Sequence, residues 1–159
     1  MTIFAYHTGP AFIFFGESEG LVYAIDGEGF VTRKRYIFGQ EDLAKEELIA
    51  ICDDQLEAVK QLVGEFKKKH GSMPDVLDNG SLDGSFNEFV IVDRKIRTWN
   101  IQRMDLHETM VENRKYYDAY KKNIIAENAL LDLAEEIGQL LMDCVPEMAK
   151  VLQSIGDRW

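Results

Sequence analysis

The sequence predicts an α+β fold: an antiparallel sheet of about six strands (a four-strand meander, a long helix, then a hairpin) with helices on one face and a helical C-terminal third. Three observations carry that expectation. The first forty residues hold four runs rich in β-branched and aromatic residues, each bounded by turn chemistry. Near Gln40 the apolar period lengthens from two residues to three or four. From about residue 107 the pattern stays helical to the end. Strands followed by helices place the helices against one face of an antiparallel sheet.

The opening runs are "TIFAYH", "AFIFF", "LVYAI" and "FVTRKRYIF", separated by Gly9-Pro10, "GESEG" (16–20) and "DGEG" (26–29). Such short connections leave no room for crossover helices, so the strands form a meander. In the last run, alternation puts Arg33 and Arg35 on one face and Lys34 on the other. From Gln40 onward, Leu48, Cys52, Leu56, Val59, Val63 and Phe66 make a helical stripe that Ile49 and Leu62 widen. "KKKHG" (67–71) ends this helix with cations in the last turn and Gly at the stop. Gly64 inside it costs up to about 1 kcal/mol against Ala, which predicts a close packing contact there.

The polar stretch "DNGSLDGSFNE" (78–88) raises the question of a calcium loop. With Gly84 at the sixth position of an EF-hand loop, Asn79, Ser81 and Asp83 stand at positions 1, 3 and 5. The first position then lacks its charge, and the twelfth falls on Val90, which coordinates nothing. The stretch reads instead as a loop with two turn dipeptides, Asn79-Gly80 and Asp83-Gly84. A second strand pair follows, "FVIVD" (89–93) and "IRTWNIQ" (96–102), around Asp93-Arg94-Lys95. Trp99 is expected to pack in the core.

In the final third, Tyr116, Tyr117, Tyr120 and Ile124 give one stripe, and Leu130, Leu131, Ala134, Ile137, Leu141 and Val145 continue it. Asn123 and Asn128 predict a break or bend between two helices. Pro146 suits the first turn of a last short helix, with Asp143 as its cap and Gly156 as its end. Without internal repeats or a long linker, residues 1–159 read as one domain.

At 159 residues and 46% hydrophobic content the chain can bury a real core. No apolar run approaches the roughly 20 residues a membrane-spanning helix needs. The apolar N-terminus lacks a preceding Lys or Arg and is interrupted by Gly9-Pro10, unlike a signal peptide. Cys52 and Cys144 lie far apart in apolar patterns, which reads as two buried free thiols in a reducing cytoplasm.

The net charge of −10 is unevenly spread. Residues 41–57 carry Glu41, Asp42, Glu46, Glu47, Asp53, Asp54 and Glu57 against Lys45 alone. Residues 127–147 carry Glu127, Asp132, Glu135, Glu136, Asp143 and Glu147 with no Lys or Arg. Such a field repels nucleic acid and anionic membranes, and it speeds encounter with a basic protein. The bland alternative is a pair of solvated helix faces.

Known catalytic spacings are missing from the sequence. His107-Glu108 does not extend to HExxH, because residue 111 is Val. There is no GxSxG, P-loop or dinucleotide-binding glycine set, and "DGEGF" (26–30) would repel a phosphate. Asp54 with Glu57, and Asp132 with Glu135, have i,i+3 spacing and share helix faces, so the two pairs together could hold Mg²⁺. That pattern resembles the acidic pairs of the all-helical MazG-type nucleotide pyrophosphatases, although Asp stands at two positions where that family has Glu. The β-rich first third has no counterpart there. "EEIGQLLMDCVPEMAKV" (135–151) resembles the helix, Pro, short amphipathic segment that opens YezG-like immunity proteins of bacterial polymorphic-toxin systems. In that family too, strand pairs flank a long helix like the one ending in "GEFKKKHGSMP" (64–74), but the similar segment opens the family and closes this chain.

The leading expectation is a small cytosolic binding protein that neutralises or regulates a basic partner, most sharply a cognate toxin domain, with no cofactor and no catalytic or metal site. The contact residues would be Glu46, Glu47, Asp53, Asp54, Glu57, Asp132, Glu135 and Glu136. An Mg²⁺-dependent nucleotide hydrolase and a homodimeric structural subunit are the alternatives.

Overall fold

A computed structural model describes residues 1–9, 19–37, 44–80 and 86–157. The "AFIFF" run, Pro10, Phe38, Gln40 to Asp42 and Asp83-Gly84 lie outside the described residues. So does the centre of the stretch tested for calcium.

The architecture is α+β. Six strands form one antiparallel sheet: β1 (Thr2–Gly9), β2 (Glu19–Asp26), β3 (Phe30–Ile37), β4 (Lys45–Ala50), β5 (Phe86–Ile91) and β6 (Arg94–Trp99), in the order β4-β3-β2-β1-β5-β6. The chain winds outward from β1 to β4, and the later hairpin then adds β5 to the other side of β1. That leaves β1 central, and its apolar TIFAYHTG run is accordingly buried on both faces. Turn chemistry is as expected at "DGEG". The Asp26 carboxylate accepts from the backbone N–H groups of Glu28 at 2.8 Å and Phe30 at 3.0 Å, and the bond from Phe30 does most to hold its pKa below the usual value.

Helices α1 (Asp53–His70), α2 (Leu106–Glu112), α3 (Arg114–Leu141) and α4 (Pro146–Ser154) are followed by a single 3-10 turn, Ile155–Asp157. One sheet face carries Phe4, Tyr6, Tyr23, Ile25, Val31, Phe89, Ile91 and Ile96 into a cluster with Leu56, Val59 and Val63 of α1 and Leu130, Ala134, Ile137 and Leu141 of α3. Each strand supplies every second residue and each helix every third or fourth, so the two periodicities meet in one core. No helix among the described residues is long and apolar enough to cross a membrane.

Several sequence expectations need correction. The helical stripe starts too early, because Leu48 and Ile49 lie in β4, and α1 begins only at Asp53. Pairing with β3 extends this acidic segment, so tertiary hydrogen bonding overrides a period that merely looked helical. Among the described strands β4 therefore stands fourth in the meander. Asn123 and Asn128 do not break α3, which runs 28 residues without interruption. Their amides work outward instead. Asn123 donates to the Asp78 carbonyl, and Asn128 bonds both the N–H and the C=O of Met104 at 3.1 and 2.7 Å. Gly64 faces open space, and the close helix contact falls at Gly138, where an added Cβ would sit 3.0 Å from the Ala149 carbonyl of α4. Cys52 is exposed at the N-cap of α1 and Cys144 is half-buried, so neither is a core thiol. Trp99 is half-buried at the sheet margin. Pro146 does open α4, but the N-cap is Val145 and Asp143 does not cap it.

Candidate functional site: the groove between two acidic helices

Helices α1 and α3 lie side by side and run antiparallel. Gln55 near the start of α1 meets Leu140 near the end of α3, and His70 at the end of α1 shares a depression with Ala129. The Gln55 side chain clasps one end. Its carbonyl oxygen accepts from the Cys52 N–H at 3.2 Å, capping α1, and its amide donates to the Leu140 carbonyl at 3.2 Å. It therefore satisfies two of the backbone groups that helix ends leave unpaired.

On the outer side the two helices leave a groove of about 480 Å³ lined by Ala58, Gln61, Leu62 and Glu65 of α1 and Glu136, Gln139 and Leu140 of α3. A smaller depression of about 180 Å³ continues it toward Phe66, Lys69, His70, Ala129, Asp132 and Leu133. Leu62, Glu65 and Glu136 line both, so the two are one channel. Half-buried Ala58, Leu62 and Leu140 form an apolar floor, and exposed Glu65 and Glu136 stand on the rims. The channel is electrically asymmetric. Asp53, Asp54 and Glu57 flank its start, and Lys67, Lys68, Lys69 and His70 occupy the last turn of α1 at the other end. This matches the helix macrodipole, which favours anions at the N-terminus and cations at the C-terminus.

The eight acids expected at a contact are not one surface. Glu136 lines the groove, while Asp53 and Asp54 sit exposed in the first turn of α1. Glu57 is exposed but pairs with Lys60 at 3.5 Å. Asp132 and Glu135 share one guanidinium, Arg103, at 2.6 and 3.3 Å, which ties α3 to the chain before α2. Glu47 faces the helix side of the sheet and pairs at 3.3 Å with Arg33, whose other partner is Glu147 of α4 at 2.5 Å. Glu46 lies on the opposite sheet face, beside exposed Leu48 and across from Lys34.

The two carboxylate pairs considered for Mg²⁺ are not brought together. Asp132 lies beside Lys69 and His70, eight residues of α3 from the Leu140 end where Asp54 and Glu57 stand, a distance of about 12 Å at 1.5 Å per residue. Among the described residues no group of three or more His, Cys, Asp or Glu side chains converges on a metal position.

Two polar arrangements join residues far apart in the sequence. Glu127, which the charge pattern groups with a surface acidic run, is 3% exposed. Its Oε1 accepts from the Thr98 hydroxyl at 2.5 Å and from the Asn79 amide at 2.9 Å, and the same amide reaches the Trp99 carbonyl at 2.8 Å. Burial pushes the Glu127 carboxyl up to about 7, against the opposing pull of those hydrogen bonds. Around it the 78–80 loop is fastened to α3. The Tyr116 hydroxyl donates to the Asn79 carbonyl at 2.8 Å, and Gly80 (φ +84°) lies where a Cβ would meet the Tyr120 ring at about 3 Å. A signal for Glu127 existed: it precedes Leu130, Leu131 and Ala134 by three, four and seven residues, on the buried stripe itself.

On the other sheet face, Tyr36 of β3 reaches over Gly20 of β2 to hydrogen-bond His7 Nε2 of β1. His7 Nδ1 lies 4.0 Å from Glu88 of β5, which accepts from Arg97 Nε of β6 at 2.8 Å. Only a residue without a side chain at position 20 leaves room for the tyrosine ring. Four strands thus contribute to one polar row, a juxtaposition that no local pattern encodes.

No protein-family model matches the chain, and no curated protein matches it.

Proposed function

We propose that this is a small acidic binding protein that neutralises or regulates a basic protein partner, in its sharpest form the immunity protein of a toxin. The observation that carries this reading is the α1–α3 channel. It offers an apolar floor flanked by Glu65 and Glu136 and led into by Asp53, Asp54 and Glu57. Apolar contact surface inside a charged rim is how protein interfaces gain affinity and partner choice. The toxin form rests on the resemblance of residues 135–151 to YezG-like proteins. That segment comprises the end of α3, a short turn and the Pro-led α4. Were the partner a nuclease, the carboxylates would stand where substrate phosphates bind.

The test is affinity capture of the tagged protein from its host's lysate at low and moderate salt, with mass spectrometry of what stays bound. One basic protein held in near-stoichiometric amount is the expected result. A companion that is acidic, or retention of the protein alone in a lysate containing a co-expressed candidate toxin, would overturn it.

A further inference from the structure

We propose that the α1–α3 channel is a seat for one amphipathic, cationic α-helix of the partner, which deepens the proposed function and rests on it. The shape selects a helix. Two antiparallel helices present a long furrow between their side-chain ridges, and a third helix fills such a furrow with side chains at i, i+3, i+4 and i+7. The length agrees. From Ala58 to His70 the channel follows twelve residue steps of α1, about 18 Å, which accommodates some three turns of a guest helix.

The chemistry selects the faces of the guest. Its apolar stripe would cover half-buried Ala58, Leu62 and Leu140, of which Leu62 and Leu140 already pack against the core on their inner sides. Lys or Arg side chains flanking the stripe would reach Glu65 on one rim and Glu136 on the other, one from each helix. Among the described residues neither glutamate is tied up in an ion pair in the way Asp132 and Glu135 are tied to Arg103, although Glu65 accepts a weak 3.4 Å bond from Gln61. The charge gradient sets direction. The cationic end of the guest lies toward Asp53, Asp54 and Glu57, and its neutral or acidic end lies over Lys69 and His70.

Two synthetic peptides of identical composition test this. One places Leu at i, i+3, i+4 and i+7 with Lys on the flanks, and the other scrambles the order so that no face is apolar. Their binding to the isotope-labelled full chain is followed by amide chemical shifts at low salt. The expected result is tighter binding of the patterned peptide, with shifts centred on 58–70 of α1 and 129–140 of α3. The Glu65→Lys, Glu136→Lys double variant should lose about tenfold in affinity, as two rim charges are worth together. Equal binding of both peptides, or shifts centred on 46–57 instead, sinks the helix seat while leaving an acidic binding surface standing. No binding of either peptide to the folded protein overturns the seat and counts against the acidic surface as well.

Discussion

At the residue scale, Glu127 shows most clearly what position does to chemistry. A glutamate in water ionises near 4.5, but this one is enclosed by β6, α3 and the 78–80 loop, and its carboxyl is held up to about 7. Since the folded state keeps its proton to a higher pH than the unfolded chain does, the folded state binds more protons in between, and stability falls as pH rises from about 4.5 to 7. The stabilising share is complete below the lower value and gone above the upper one. Glu127→Gln keeps an oxygen acceptor for Thr98 and Asn79 but cannot ionise. Denaturant unfolding at a series of pH values should therefore show the variant gaining on the wild type across that window, by on the order of 2–3 kcal/mol at the alkaline end. Parallel curves would mean that the carboxyl already ionises normally in the fold. Its spacing from Leu130, Leu131 and Ala134 carries a signal of burial, but the charge pattern groups Glu127 with a surface acidic run, and its partners come from 29 and 48 residues away.

At the scale of elements, packing redrew the boundaries that period alone suggested. Leu48 and Ile49 fit a helical stripe arithmetically, yet the segment pairs with β3 from Lys45 to Ala50. Being an edge strand of the described sheet, β4 carries Glu46 and Glu47, charges that discourage further strands from adding to it. Asn123 and Asn128 are poor helix formers, and in a free peptide they would weaken α3. In the fold each amide is spent on a neighbouring loop, so the helix is bolted at those points. Gln55 plays the same part for the channel, joining the start of α1 to the end of α3. Gln55→Ala should cost about 1–2 kcal/mol by leaving both helix ends short of a partner. Amide hydrogen exchange should quicken first at 53–56 and near 140. Faster exchange spread evenly over the whole chain would show that the clasp is not local.

For the whole molecule, charge is legible without any structure, and what it can do is not. A net charge of −10 predicts fast, salt-sensitive encounter with a cationic partner wherever the acids happen to stand. Reversing Asp53, Asp54 and Glu57 together should slow association at low salt by about tenfold and flatten its dependence on ionic strength. Stopped-flow kinetics with the captured partner reads both. An unchanged on-rate would remove the start of α1 from the encounter surface. Reversal at Asp132 and Glu135 should act mainly through stability instead, because it breaks their shared contact with Arg103.

Composition and periodicity by themselves determined the α+β class, the succession of strands, long helix, hairpin and helices, the cation-tipped end of α1, the Pro-led start of α4 and the acidic balance. These are local properties: turn residues, side-chain spacing and charge act within a few positions of themselves. Only the tertiary structure decided that β4 is a strand, that α3 runs unbroken, that Glu127 is buried and that Glu65 and Glu136 face each other across one channel. Each of these depends on groups brought together from distant parts of the chain, where cross-strand hydrogen bonds, desolvation and helix packing outweigh the preference of any single residue.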